Sequence, residues 1–315
     1  MYIVIGAVFV TAAILAIAVH LVDSTRQSVL VAGALARTPM WASVPGTVLL
    51  TIGVGWVGAL LGLAVMAAAA WTQWPLVARR FRAKESVRDT NTLGTPFTVL
   101  HANILLGGAD AIVALLERHR PDVLTVVELT PSAHERLLAA GLAEHLPYSF
   151  VSLAGGGEGS GIYSQHPLDD VMRHDGYAAE QLSARVEVPG GPTPLVFALH
   201  PVPPWPRSPQ GWVRELASIR QMLAKIPAED GPVIVGGDFN ATFDHKLYRN
   251  LLTGSYRDAA IEVGAGHLAT YHADMRIPPL IAIDHILVRG AAVTEVGTVD
   301  LPGSDHRGLR AALLL

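Results

Sequence analysis

The chain contains no cysteine. That excludes a disulfide framework, a thiolate nucleophile and any zinc–thiolate site, and it assigns no redox compartment. Charge is also scarce: charged residues are 16% and hydrophobic ones 50% of the 315 residues, where a soluble protein carries about 25% charged residues. The scarcity is local. Met1 to Val22 contains no acid, lysine or arginine, and Gly46 to Trp71 contains no charged residue at all. Each run exceeds the roughly 20 helical residues needed to cross a hydrocarbon core about 30 Å thick.

These runs predict two transmembrane helices, about 1–22 and 46–71. Glycine-rich packing in the second ("GVGWVGALLGLAVMAAAA") suits close helix contact in lipid. Trp71 and Trp74 are placed as interfacial anchors. The competing readings are a signal peptide for the first run and buried core helices for both. A signal peptide calls for a basic start and a small-residue cleavage site, and neither is present. Arg26 and Arg37 lie between the runs, while Arg79, Arg80, Arg82, Lys84 and Arg88 follow the second. That bias places the C-terminal part in the cytoplasm. A two-span chain would then also begin in the cytoplasm, yet no basic residue precedes the first run.

Residues 1–78 therefore read as a membrane anchor and 79–95 as a basic linker ending in turn formers. From 96 to 315 the texture is that of one soluble domain, in which short β-rich runs alternate with amphipathic helical patterns. "FTVLHAN", "DVLTVVE", "ARVEV", "PLVFALH", "PVIVGGDF", "IDHILVRG" and "LRAALLL" read as strands. "ADAIVALLERHR", "PSAHERLLAAGL" and "SPQGWVRELASIRQMLAKI" read as helices, and "AGGGEGSG" (154–161) as a loop. Seven of the 23 basic and three of the 27 acidic residues precede residue 96, which leaves the domain a formal charge of −8.

Chemically capable residues recur where these strands end: Asn103, Glu128, His200, Asp238, Asn240, Asp284, His285, Asp305 and His306. Singly, each has an ordinary explanation, such as a solvated glutamate, a structural histidine or an Asx turn at Asp238. Together they supply oxygen ligands for a hard divalent cation, histidines for phosphate oxygens and carboxylates to orient water or an imidazole. That set suits metal-assisted phosphoester hydrolysis. His285 follows Asp284 in a strand, where side chains alternate, and reads as structural. Arg307 has two readings, a phosphate contact or a surface ion pair. Trp205 and Trp212 read as packing residues rather than pocket walls.

The ordered series "ANI", "VVELTP", "LHPVP", "GGDFNAT", "IDHIL" and "SDHRG" resembles the endonuclease/exonuclease/phosphatase superfamily, the deoxyribonuclease I-like fold, and within it bacterial membrane-anchored members. The resemblance spans about residues 96–315. It implies an α/β fold, a four-layer α/β sandwich of two packed mixed sheets flanked by helices, here preceded by two transmembrane helices. It places Asn103, Glu128 and Asp305 at the metal, Mg²⁺ or alternatively Mn²⁺. His200 would contact phosphate, Asp238 and Asn240 would orient water and phosphate, and Asp284 would support His306. One departure is Gln165 in "YSQHPL", where many relatives have arginine. A second is the proline-rich loop directly after His200.

The implied enzyme is a Mg²⁺-dependent phosphoesterase using in-line water attack, expected to be monomeric. Its acidic domain and lipid anchor lean towards a phospholipid or small phosphoester, because nucleic-acid binders usually carry a basic footprint. A membrane-anchored nuclease acting on DNA or RNA, and a catalytically silent scaffold on the same fold, stay open as alternatives.

Overall fold

The computed structural model describes residues 1–80, 94–105 and 107–315. Most of the linker expected over 79–95 lies outside the described residues. The N-terminal part is helical: α1 (Tyr2–Leu21), α2 (Gln27–Ala34), α3 (Arg37–Trp41), α4 (Ser43–Val54) and α5 (Trp56–Gln73). Two stretches, Tyr2–Leu21 and Trp56–Leu76, are long and apolar enough to cross a membrane, and only 22% of each is buried within the protein.

The second stretch begins at Trp56 rather than Gly46, because Gly55 adopts φ 62° and turns the chain back on itself. That backbone conformation costs a residue with a Cβ more than it costs glycine. As a result α4 lies antiparallel to both long helices. Gly46 and Gly53 meet Val10 and Ile3 of α1, and Gly62 meets Thr47 across the α4–α5 turn. These small residues let the backbones approach closely. The chain therefore runs along the bundle three times, and α1 and α5 point the same way. At the end where both finish, His20 and Gln73 each bond Asp244 of the following domain, at 2.7 and 2.8 Å.

Among the described residues the domain is built on twelve strands: β1 (Pro96–Asn103), β2 (Val123–Val127), β3 (Tyr148–Ser152), β4 (Ser160–Ser164), β5 (Leu168–His174), β6 (Gln181–Val186), β7 (Leu195–Leu199), β8 (Val233–Asp238), β9 (Arg257–Asp258), β10 (Asp284–Arg289), β11 (Ala292–Val299) and β12 (Gly308–Leu314). They form two mixed six-stranded sheets, β11-β12-β1-β2-β4-β3 and β5-β6-β7-β8-β10-β9. Alternation along each strand sends one set of side chains between the sheets, including Val99, Val196, Ile234 and Ile286. The other set packs outward against helices. On the second sheet, Trp212, Leu216, Ile219 and Leu223 of α8 (Pro209–Ala224) recur at four, three and four residues and bury one stripe. On the first sheet, α6 (Ala109–His119) and α7 (Pro131–Ala139) cover Leu124 and Val126. Pro131 opens α7, and the Thr130 hydroxyl caps it by accepting from Ala133 N at 3.2 Å. This is the expected four-layer sandwich. The stretch 154–161 is a loop only to Gly159, since Ser160 and Gly161 enter β4.

Parallel pairing of β1 with β2 and of β7 with β8 places four strand ends together. The antiparallel partners β10 and β12 begin at that same edge, with Asp284 opposite Asp238 and Leu309 opposite His101. Both sheets thus deliver their chemically capable residues to one end of the sandwich. Gln165 lies at the other end, where its backbone N–H bonds Asp122 O at 2.9 Å, so its difference from arginine does not touch this cluster.

Candidate active site

At the shared sheet end stand two buried aspartates, Asp238 and Asp284, each 2% exposed. Burial penalises both charges, and like charges this close cannot ionise equally. Their partners separate them. Asp284 Oδ2 accepts from His306 Nδ1 at 2.8 Å, and Oδ1 accepts from His101 Nε2 at 3.3 Å. Against the cost of burial, these imidazoles hold Asp284 below the usual carboxylate range. In return, and again against burial, Asp284 raises His306 to about 10, so that it is a cation at neutral pH. Asp238 is pushed the other way, to about 7, by burial and by the charge of Asp284. Its Oδ1 accepts from Asn240 N at 2.8 Å, and its Oδ2 lies 3.7 Å from His306 Nε2.

Glu128 reaches the cluster through an irregular backbone. Strict alternation would send it outward with Leu124 and Val126. At φ 60° the strand ends, and the carboxylate instead accepts from Asn103 Nδ2 at 2.9 Å. A left-handed glutamate costs about 1 kcal/mol or more, a strain found at sites where side-chain aim matters more than stability. Burial raises its pKa. Asn103 Nδ2 also donates to Asp238 Oδ2 at 3.0 Å, while its oxygen accepts from Leu105 N at 3.1 Å. Asn103, expected at the metal, gives its amide hydrogens to Glu128 and Asp238 and ties the two carboxylates together.

His200 is clamped by Gln181, which accepts from His200 N at 2.7 Å and donates to His200 O at 2.8 Å. Burial lowers its pKa to about 4, leaving a neutral imidazole. Its Nε2 lies 3.8 Å from Glu128 Oε1 and 3.9 Å from Asp238 Oδ2. Asn240, at φ 49°, spends one amide hydrogen on Pro201 O at 3.1 Å and keeps the second. Asp305 Oδ1 is buried without a hydrogen-bond partner among the described residues.

This donor set fits a hard divalent cation. Glu128, His200 and Asp238 each offer a ligand atom, all within 4.8 Å of one another. The orphaned Asp305 oxygen and the desolvated Glu128 would both be relieved by positive charge, and oxygen-rich ligation suits Mg²⁺ or Mn²⁺.

The structure thus brings all eight expected site residues to one cluster, and His285 to the opposite face. It adds four that sequence reasoning missed. His101 and Thr125 support Asp284 from the first sheet, with His101 Nδ1 and Thr125 Oγ1 at 3.0 Å. Gln181 holds His200, and the Tyr271 ring centroid lies 4.8 Å from that of His306. His101 was within reach of the pattern, since it precedes Asn103 by two residues on the same strand face. Gln181 and Tyr271 carry no comparable signal. Arg307 pairs with the exposed Asp300 at 3.2 Å. Trp212 is core and donates to Phe239 O at 3.1 Å, whereas Trp205 lines the cleft.

No curated protein sequence matches the chain. Among solved structures, it is similar to the TDP2 of D. rerio complexed with a single-strand DNA product, at 18% identity over 70% of this chain and 100% of that one, with a TM-score of 0.59. It is also similar to the mannosyl-6-phosphatase of Bacteroides thetaiotaomicron, at 16% identity over 70% and 100%, with a TM-score of 0.56. At such identities these likenesses speak for the fold. The sequence profile of the Endonuclease/Exonuclease/phosphatase family matches residues 100–306, which include every residue of the cluster, and the chain belongs to that family of phosphoester hydrolases.

Proposed function

We propose that the chain is a membrane-anchored, Mg²⁺-dependent phosphoesterase that hydrolyses a phospholipid or small phosphoester on the cytoplasmic face. The observation that carries the chemistry is the pairing of unlike groups at one point. Asp238, buried and fixed by the Asn103 amide at 3.0 Å and the Asn240 N–H at 2.8 Å, is placed to take a proton from water, while the His306 imidazole, paired with Asp284 at 2.8 Å, stands 3.7 Å from it. Asp284 orients and charges His306. Asn240 and His200 hold phosphate oxygens, and Asn103 fixes the two carboxylates that face the reacting group. Glu128, with Asp305, would hold the cation. When bound, the cation would polarise a phosphoryl oxygen. Water attacks phosphorus in line and gives its proton to Asp238, the ester P–O bond opposite breaks, and the leaving oxygen takes a proton from solvent, to which Asp238 returns its own, with no covalent enzyme intermediate.

The helical bundle supports the anchor and its orientation. Arg26, Arg37, Arg79 and Arg80 all belong to the end nearest the domain, while the end formed by the start of α1 and the Gly55 turn carries no charged side chain. Three passes rather than two account for this. The basic residues collect on one side, the side of the domain, as the positive-inside bias requires of a cytoplasmic face. Because the chain has no cysteine, Thr25→Cys introduces a single thiol. It should be labelled from the cytoplasmic side only, and labelling from outside would reverse the orientation.

Substrate choice leans on charge. The domain is acidic, and among the described residues lining the cleft the one Lys or Arg, Arg207, pairs with Glu158 at 3.0 Å. A second reading, a nuclease, draws on the likeness to the TDP2 solved with a DNA product. The deciding experiment uses the full chain in lipid nanodiscs, with Mg²⁺ or a chelator. It offers mixed phospholipids, a soluble phosphodiester and single-stranded DNA, and compares Asp238→Asn with wild type. Metal-dependent ester release that falls about 10²-fold or more in the variant is expected. Cleavage of DNA alone would replace this reading with the nuclease, and no turnover of any ester would overturn both.

A further inference from the structure

The cluster opens into a cleft of about 640 Å³, within the usual range for a site that encloses a small molecule. One wall of that cleft does not come from the sandwich. It is α2, the short helix that follows the first apolar run, which presents Val31, Ala34 and Leu35 to the cleft. Positions three and four apart share a helix face, and Val31 and Leu35 are each 42% exposed. Pro203 and Trp205, from the loop after His200, stand among the other lining residues, and Trp205 is 65% exposed.

The helix is built into the domain. Leu30 belongs to the same buried cluster as Trp212 and Tyr248. Its carbonyl accepts from His245 Nε2 at 2.8 Å, and the Gln27 side chain donates to Pro204 O at 3.2 Å. His245 and Thr242 sit a few residues beyond Asp238 and Asn240, so the segment that carries the candidate base also carries the dock for α2.

We infer that α2 is part of the active site and that its apolar face binds the hydrocarbon chain of a bilayer phospholipid whose phosphate lies over Asp238 and His306. The inference rests on the phosphoesterase reading above and adds the identity of the binding wall. Three observations select this occupant. Only Val22–Arg26 separate α1 from α2, which sets α2 at the level where the long helix ends. The loop that supplies His272 and Ile281 to the cleft also exposes Met275, Ile277 and Leu280, at 53%, 58% and 55%, an apolar rim suited to immersion in an interface. Among the described residues no unpaired Lys or Arg lines the cleft, whereas a polynucleotide backbone would call for several. A lipid can therefore enter along α2 without leaving the bilayer entirely, its chain against Val31 and Leu35 and its head group towards the sheet ends.

The test uses the full chain in nanodiscs with Mg²⁺. It measures kcat/KM for long-chain phospholipids of mixed head groups against dihexanoyl lipids bearing the same head groups, with single-stranded DNA as a further arm. Wild type is expected to favour the long chains about tenfold or more, because each buried methylene adds binding. Val31→Asp and Leu35→Asp should cut that ratio about tenfold. The pair Val31→Ala with Leu35→Ala should cut it several-fold, which keeps the test valid if the acidic variants misfold. An unchanged ratio, or an equal loss on both chain lengths, would overturn the role of α2. Cleavage of DNA and of the short dihexanoyl esters with no action on long-chain lipid would overturn it too while leaving the phosphoesterase reading standing. Absence of all hydrolysis would overturn that reading as well.

Discussion

Asp284 and His285 are consecutive on β10, and each forms a buried acid–imidazole pair, one on each face of the sheet. On the inner face, Asp284 accepts from His306 Nδ1 at 2.8 Å. On the outer face, His285 Nδ1 donates to Asp258 Oδ2, also at 2.8 Å. Each histidine has its pKa raised against the cost of burial by a carboxylate partner, so distance, burial and shift do not tell the pairs apart. The second ring nitrogen does. His285 Nε2 donates to Ala241 O at 2.8 Å, and the ring stacks on Tyr248 at 4.1 Å, so every valence is used inside the core. Among the described residues His306 Nε2 has only long neighbours, 3.7 Å to Asp238 Oδ2 and 3.5 Å to Asn103 Nδ2, and it lines the cleft. A perturbed pair becomes a candidate for chemistry when one valence remains open towards a space that a substrate can occupy.

The sharpest way to break this comparison is to remove each imidazole in turn. His306→Ala should lower kcat/KM of the folded protein by about 10²–10³-fold, the scale of one preorganised charge-stabilising group, and it should also lower the melting temperature, because it leaves the buried Asp284 with His101 as its remaining imidazole. His285→Ala should lower the melting temperature as well, while its folded fraction hydrolyses ester within a few-fold of the wild-type rate. Equal rate losses in the two variants would mean that the open valence is not what matters.

A smaller effect sharpens the structural pair. Asp258 is buried and also accepts from the Tyr248 hydroxyl. Asp258→Asn leaves an imidazolium without its counter-charge and should cost about 3 kcal/mol of unfolding free energy, as removing one partner of a buried pair does. Denaturant unfolding of the full chain in detergent measures it. A change below about 0.5 kcal/mol would show that the pair contributes no more than an exposed one.

The sequence made the inner pair legible and left much of its surroundings hidden. Asp238, Asn240, Asp305 and His306 stand at strand ends in short, specific runs, and a period of two along β10 separates Asp284 from His285 without coordinates. Strands such as β4 ("SGIYS") and β11 ("AVTEVGTV") went unread because short, small-residue or part-exposed strands lack a firm apolar alternation. The aim of Glu128 depends on one left-handed backbone angle, and the orientation of Asn103 on which amide atom Leu105 N captures. Neither is written in residue types. The break at Gly55 hid in a run that composition alone scored as one span. The place of α2 was the least visible of all, because its contacts join residues more than 170 positions apart.

The finest distinction lies in how the outer pair responds to pH. The folded pKa of His285 is raised above its unfolded value, so its contribution to stability is fully present below about 6.5, the ordinary histidine value, and is lost as pH rises through the folded value. The folded pKa of Asp258 is lowered, burial notwithstanding, by the bond and charge of His285. Its contribution is present above about 3.9, the ordinary aspartate value, and is lost as pH falls through the depressed one. Together they predict that the pair stabilises most between about pH 4 and 6.5. Measured as unfolding free energy against pH, the difference between wild type and Asp258→Asn should be largest in that window. It should shrink towards alkaline pH, where His285 sheds its proton and the variant no longer buries an unpaired cation. A difference that stays constant with pH would mean that His285 is neutral throughout and that the pair holds the strand by hydrogen bonding alone.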